Sequence, residues 1–273
     1  MEIKNQNNMK QKLLSSALYL VVFVLIQAVI GGIVGFACQT AKIGGAALVY
    51  ISLIASAVTI ALFAWRKWSP FSREYVQRRQ WFTLFWVVCI AIGCIAPTSL
   101  ATELLHIDLP ENYNELFKSM MGHDLGFLAI GILAPLAEEM VFRGAILRTL
   151  LSAFGKQRRW LAIGITALLF AVIHGNLAQG FGAFFLGLLI GWMYYRTGSI
   201  VPGVVFHWVN NSIAVILYRI APQFADMTLT EYFQHDTLRI GLCMLFSLMI
   251  FGASLYQLRI RLNRQSLTKT ANL

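Results

Sequence analysis

Residues 137–144 read A-E-E-M-V-F-R-G: two carboxylates and a guanidinium inside a run of apolar side chains. Upstream, 125–136 is L-G-F-L-A-I-G-I-L-A-P-L, and downstream A-I-L leads to Arg148. On its own such a stretch reads as a buried core helix. Its surroundings decide otherwise. Of 273 residues 58% are hydrophobic and only 12% are charged, against about 25% charged in a typical globular domain. Eight apolar segments follow one another, at about 13–38, 44–65, 81–101, 125–148, 160–174, 178–195, 199–218 and 238–258. A bilayer is crossed by about 20 apolar residues of helix, with 17 to 25 common. The expected fold is therefore an all-α membrane protein with eight transmembrane helices. It divides into an N-terminal three-helix region (1–124), a helical core (125–218), and a last helix with a basic tail (219–273).

Charge placement orients the chain. Clusters at residues 4–12, 66–79, 148–159, 196 and 259–269 hold seventeen Lys and Arg, against four at Lys42, Lys118, Arg219 and Arg239. Cytoplasmic loops collect the basic residues, so both termini are expected in the cytoplasm. The same rule accounts for the net charge of +10, and no basic stripe interleaved with aromatics points to nucleic acid. The first span is about 25 residues long without a clean cleavage site, too long for a signal peptide's apolar region of about 7 to 15. Cys38, Cys89, Cys94 and Cys243 fall in or at the end of apolar runs and form no C-x-x-C pair, so they read as small core residues. The stretch 102–124 is amphipathic in places and reads first as a connecting loop, second as a segment on the membrane surface. Gly187 and Gly191 make a G-x-x-x-G, expected to pack closely on another helix of the same chain.

Three formal charges lie inside the expected spans: Glu138, Glu139 and Arg143. Each costs roughly 2.5–3.5 kcal/mol at mid-membrane on insertion scales, so such residues are usually functional. Glu139 and Arg143 are four apart and can pair, whereas Glu138 is turned about 100° away. Two further pairs share helix faces: Phe170 with His174, and His207 with Asn211. At 1.5 Å per residue, Glu138 and His207 each lie about 15 Å from their cytoplasmic helix ends, and His174 about 22 Å from Arg159. A tilt of about one turn brings all three to one depth. The fifth segment is short for a span and ends in His174-Gly175-Asn176, a helix-stop signature. Broken backbone at membrane depth is tolerated where it is buried in protein or lines a wet cavity.

The residue types suit amide hydrolysis. A carboxylate held away from bulk water takes a proton from an attacking water. A neutral His orients that water, and an Asn amide donates to a developing oxyanion. Glu138, His174 and His207 also make a two-His, one-carboxylate set of the kind that holds catalytic zinc with an open fourth position. The residues alone leave zinc and metal-free hydrolysis both open. Buried Glu and His also serve proton relays in transporters, but no inverted repeat is visible and the polar groups cluster. A non-proteolytic immunity or scaffold protein is the other alternative.

E-E-M-V-F-R at 138–143, F-A-V-I-H at 170–174 and H-W-V-N-N at 207–211 resemble, in order and on successive spans, the E-E-x-x-x-R, F-x-x-x-H and H-x-x-x-N motifs of the CAAX-protease and bacteriocin-processing (Abi) family. These are intramembrane proteases that include prenyl endopeptidases of the Rce1 type. The resemblance covers about 125–215. It implies that Glu138 activates water with help from His174, that Glu139, Arg143 and Phe170 support the site, and that His207 and Asn211 position water or stabilise the oxyanion. It further implies a multi-pass protein of a bacterial plasma membrane. Its substrate would be a membrane-associated peptide or protein segment, in a role such as bacteriocin processing or self-immunity. Prenylation and oligomeric state stay open.

Overall fold

The computed structural model describes residues 2–42, 46–70, 75, 80–224 and 226–270, with side chains described from Asn7 to Leu262 within those ranges. Of the basic residues used to orient the chain, Arg73, Arg78 and Arg79 lie outside the described residues, as do the side chains of Lys4, Arg264 and Lys269. Among the described residues every regular element is helical. In chain order these are α1 (Glu2–Thr40), α2 (Ala47–Trp65), α3 (Trp81–Leu104) and α4 (Glu111–Gly122), then a long composite helix α5 (Phe127–Phe154). After it come α6 (Arg159–Val172), α7 (Leu177–Thr197), α8 (Val201–Ile220), the single turn α9 (Leu229–Tyr232) and α10 (Thr237–Thr270).

Six of these helices are long and apolar enough to cross a membrane: α1, α2, α3, α7, α8 and α10. A seventh is added if α4 and α5, bent by 101° at a short break, count as one span. The segment expected to cross at 160–174 forms α6, a helix of 14 residues that falls below the length of an ordinary span. The stretch 102–124 is not a plain loop. Pro110 precedes its helical part and Glu111 occupies the first turn of α4, where a proline and an acidic residue both favour helix initiation.

α5 is built in four parts, all right-handed at their junctions: a π-helical turn Phe127–Leu133, an α-helical turn Ala134–Glu139, a second π-helical stretch Met140–Leu147, and an α-helical end Arg148–Phe154. π geometry inside an α-helix is rare and recurs at functional sites. α1, α2, α6, α7 and α8 all pack on α5, while α3 and α10 pair with each other and close on α7 and α8. One apolar core gathers around Met140, Val141, Phe142, Ala145, Ile146 and Leu147, with Phe23 from α1, Phe63 from α2 and Ile163 and Phe170 from α6. A second joins Val87, Ile90 and Cys94 of α3 to Ile190 and Met193 of α7, Phe206 of α8 and Leu258 and Leu262 of α10. Large apolar side chains remain exposed along α1 and α10, among them Leu14, Val21, Phe36, Leu238 and Phe246. An apolar surface of that extent belongs against lipid.

Gly187 and Gly191 do meet a neighbouring helix of the same chain. A Cβ on Gly187 would stand 3.0 Å from Ala167 Cα, and one on Gly191 would stand 2.9 Å from Ile163 Cγ2, so the small residues let α7 lie close on α6. The chain then turns sharply between these helices. Gly175 takes a left-handed φ of 71°, and Asn176 caps α7 by accepting from Gln179 N at 2.9 Å, which satisfies one of the free amides at the helix start.

Candidate active site

The first π stretch of α5 sets the height and rotation of the two glutamates. Ala134 N–H donates to Ala129 O, five residues back. The next bond of that kind would come from residue 135, a proline, which has no N–H. Ile130 O is met instead by Asn211 Nδ2 of α8 at 3.1 Å, and Ile132 O accepts from Trp208 Nε1 at 2.8 Å. Two side chains of α8 thus fasten the backbone just ahead of Glu138.

Glu139 and Arg143 lie in the deepest part of the molecule, 0% and 1% exposed. Arg143 Nη1 donates to Glu139 Oε1 at 2.8 Å, and Nη2 donates to the Gly187 carbonyl at 3.5 Å. The guanidinium also sits 4.5 Å from the centre of the Phe170 ring, a cation–π distance. A charge this buried is retained only when it is paired, and here the pair is completed by a backbone carbonyl of α7 and a ring of α6. Gly203 of α8 backs onto the other carboxylate oxygen: a Cβ there would lie 2.8 Å from Glu139 Oε2 and 2.5 Å from Ile190 Cγ2. Glycine is what the approach of α8 to α5 requires.

His207 is the meeting point. Its Nδ1 lies 3.3 Å from Glu139 Oε1 and its Nε2 lies 3.7 Å from Glu138 Oε2. Spacing alone turned Glu138 away from Glu139, and it does leave the Arg143 pair, yet both carboxylates face the same imidazole from opposite nitrogens. Glu138 is also the more open of the two, with its side chain 21% exposed.

His174 is held differently. Its Nδ1 lies 2.7 Å from the Phe170 carbonyl, which only accepts, so Nδ1 carries the hydrogen and Nε2 of the neutral ring is left as an acceptor. The Phe170 ring stands edge-on to both histidines, at 4.9 Å from His174 and 5.8 Å from His207, and packs on Phe142 at 5.1 Å. Glu138, Glu139, Arg143, Phe170, His174 and His207 therefore form one connected cluster. Asn211 stands beside it with one amide hydrogen committed to Ile130 O. Trp208, Gly187 and Gly203 complete the support; the G-x-x-x-G spacing marked Gly187 for close helix packing, but no spacing gave Trp208 a role.

Among the described residues no three His, Cys, Asp or Glu side chains come together closely enough to hold a metal ion. His207 spends one nitrogen on Glu139 and His174 spends one on Phe170, which leaves the outer nitrogens and Glu138 as donors. Of these, His207 Nε2 and Glu138 Oε2 stand 3.7 Å apart, and no third such side chain joins them closely enough among the described residues.

Residues 124–213 match the family model described as Type II CAAX prenyl endopeptidase Rce1-like, a range that begins just ahead of α5 and ends two residues past Asn211. An uncharacterized 24.3 kDa protein of Escherichia coli is 33% identical over 102 residues. That alignment takes in 36% of this chain, and the chain spans about half the length of the relative, 46%. No solved structure matches.

Proposed function

We propose that this chain, whose residues 124–213 are an Rce1-like domain of the CAAX protease family, is an intramembrane endopeptidase in which Glu138 activates water. The observation that supports this reading most directly is the arrangement around His207. One carboxylate, Glu139, is locked by Arg143, while the other, Glu138, faces the free side of the same imidazole and stays partly open. The locked carboxylate orients the histidine, and the open one does the chemistry.

Water gives a proton to Glu138 as its oxygen attacks the carbonyl carbon of the scissile bond. A C–O bond forms, the C–N bond breaks, and the proton leaves on the amine nitrogen. His174 Nε2 accepts from the water's second hydrogen and so orients it. His207, whose Nδ1–H is directed at Glu139, takes the proton from Glu138 on Nε2, donates from there to the oxyanion while protonated, and passes the proton to the amine nitrogen as the C–N bond breaks. Asn211 first fixes the backbone that carries Glu138, and its second amide hydrogen is available to the same oxyanion. The substrate is a short hydrophobic peptide or a membrane-protein segment, as in bacteriocin processing or self-immunity, and a prenyl group is not required. The surrounding frame is eight helices in a bacterial plasma membrane, α6 being the short one, with both termini on the cytoplasmic side.

The deciding experiment compares the wild type with Glu138→Gln, expressed to equal level in the same membrane, by mass spectrometry of the membrane peptidome. Peptides that appear only with the wild type are expected, and the variant should lose about 10²–10⁴-fold in rate, the usual weight of a general base. Identical peptidomes would sink the protease reading. A parallel sample treated with chelator should keep its activity. Loss restored by added zinc would transfer water activation to a metal held by Glu138, His174 and His207.

A further inference from the structure

On the face of α7 turned away from Arg143, a cavity of about 710 Å³ opens between α3, α6, α7 and α10. Its size falls within the roughly 300–1,000 Å³ typical of small-molecule sites. Its wall is apolar, with Phe185 and Leu248 toward one end and the indole rings of Trp160 and Trp192 toward the other, and it includes two cations, Arg196 and Arg259. Packing places both cations at the same end. α7 and α10 run side by side so that Ile190 and Met193 meet Leu258 and Leu262, and Arg159, the neighbour of Trp160, lies over the Tyr195 ring at 5.6 Å. Arg196 Nε is shielded from solvent and has no hydrogen-bond partner among the described residues.

From Phe185 to Arg196 the trough follows eleven residues of helix, about 16 Å at 1.5 Å per residue. One leaflet of a bilayer's hydrocarbon core is about 15 Å thick, half of roughly 30 Å. An apolar channel one leaflet long, with tryptophans and two arginines at its mouth, has the dimensions and charge of a single amphiphile standing upright in the membrane. Aromatic rings at that level lie where headgroups begin, and basic pockets between membrane helices select anionic headgroups.

We propose that this trough is a binding site for an anionic glycerophospholipid, with an acyl chain between α3, α7 and α10 and the headgroup phosphate on Arg196 and Arg259. The site is independent of the protease reading, since none of its side chains belongs to the Glu138 cluster. Its occupant nevertheless lies against the helix whose Gly187 carbonyl binds Arg143, so a filled trough braces that helix from behind.

The test uses the full chain in detergent mixed with either dioleoyl phosphatidylglycerol or dioleoyl phosphatidylcholine, read by native mass spectrometry and by thermal unfolding. Retention of the phosphatidylglycerol about tenfold or more above the phosphatidylcholine is expected, the order of effect two near-surface arginines produce, together with a higher Tm. The double substitution Arg196→Gln and Arg259→Gln should erase the preference while leaving the Tm in phosphatidylcholine unchanged. Leu248→Trp, which blocks the apolar end, should lower retention of both lipids. Equal retention of the two lipids by the wild type would overturn the proposal. So would a preference that survives loss of both arginines, or a peptide found in place of lipid.

Discussion

Between Met140 and Leu147 every side chain of α5 is buried, whereas α4, which approaches it across the 101° bend, has no buried residue at all. The two stretches are fixed by opposite means. The inner one is gripped by apolar packing on several helices and by one ion pair sealed from water. The outer one is tied by polar links open to solvent. Lys118 Nζ lies 2.6 Å from Asp226, Asn114 Nδ2 donates to the same carboxylate at 2.9 Å, and Arg219 donates to the carbonyl of Met121 in the last turn of α4 and to those of His123 and Asp124 just past it. Removing one partner of a buried pair costs about 3–5 kcal/mol, while an exposed pair contributes roughly 0.2–1 kcal/mol. The site is therefore held rigidly on its packed side, and its outer cover rests on contacts that open easily.

Arg143→Met tests the inner half hardest. It leaves Glu139 buried without its cation, and a loss of about 3–5 kcal/mol is expected, read as a large fall in thermal stability. The double variant Glu139→Gln, Arg143→Met should recover part of that loss, because it removes the stranded charge. A single variant as stable as the wild type would show that the pair is not what seals the core. Gly203→Ala comes next. Its methyl group would enter the space of Glu139 Oε2 and Ile190 Cγ2, and overpacking of that kind costs about 1–3 kcal/mol. A stable and fully active variant would mean that α8 can move away from α5 freely.

Trp208→Phe removes the bond to Ile132 O but keeps an aromatic ring. About 0.5–1.5 kcal/mol of stability should go with it, and turnover should fall more than substrate binding, because the segment carrying Glu138 loses one of its fastenings. An unchanged ratio of kcat to KM would assign Trp208 to packing alone. The smallest effect belongs to the outer links. The hydrogen bond from Lys118 holds the Asp226 carboxyl below its ordinary range, and that bond in turn raises Lys118. The sign follows from the two shifts. The contribution is present above the ordinary Asp value of about 3.9 and fades as pH falls through the folded value, and it is present below the ordinary Lys value of about 10.4 and fades as pH rises beyond it. Asp226→Asn should leave the Tm at neutral pH nearly unchanged. A marked drop would mean that the cover is held as firmly as the core.

The local pairings were legible because helical periodicity is short-ranged: four-residue spacings put Glu139 against Arg143 and the Phe170 ring beside His174, as expected, whereas the bond of His174 Nδ1 to the Phe170 carbonyl was not part of that expectation. What spacing could not show was long-range. That Glu138 and Glu139 both address His207 depends on how α8 crosses α5. Pro135 announces a missing donor, but nothing in the sequence says that Asn211 of a helix some eighty residues on would supply it. The π winding of α5 left no visible mark either. The count of spans turns on α6 alone: apolarity marks 160–174 as clearly as a longer segment, and only helix length separates α6 from the others. The amphipathic stretch before the bend carried usable signals in Pro110 and Glu111, although its apolar residues read as loop.

The length of α6 has a consequence for where the protein can live. Fourteen residues rise about 21 Å, some 9 Å less than a typical hydrocarbon core of about 30 Å. With its basic end at one surface, the His174–Asn176 turn is stranded inside the oily layer unless the layer yields. A turn at that depth is accommodated by packing against protein or by thinning of the lipid beside α6. Hydrophobic mismatch of this kind carries an energy that grows with every ångström, so a thin apolar layer fits α6 at lower cost than a thick one.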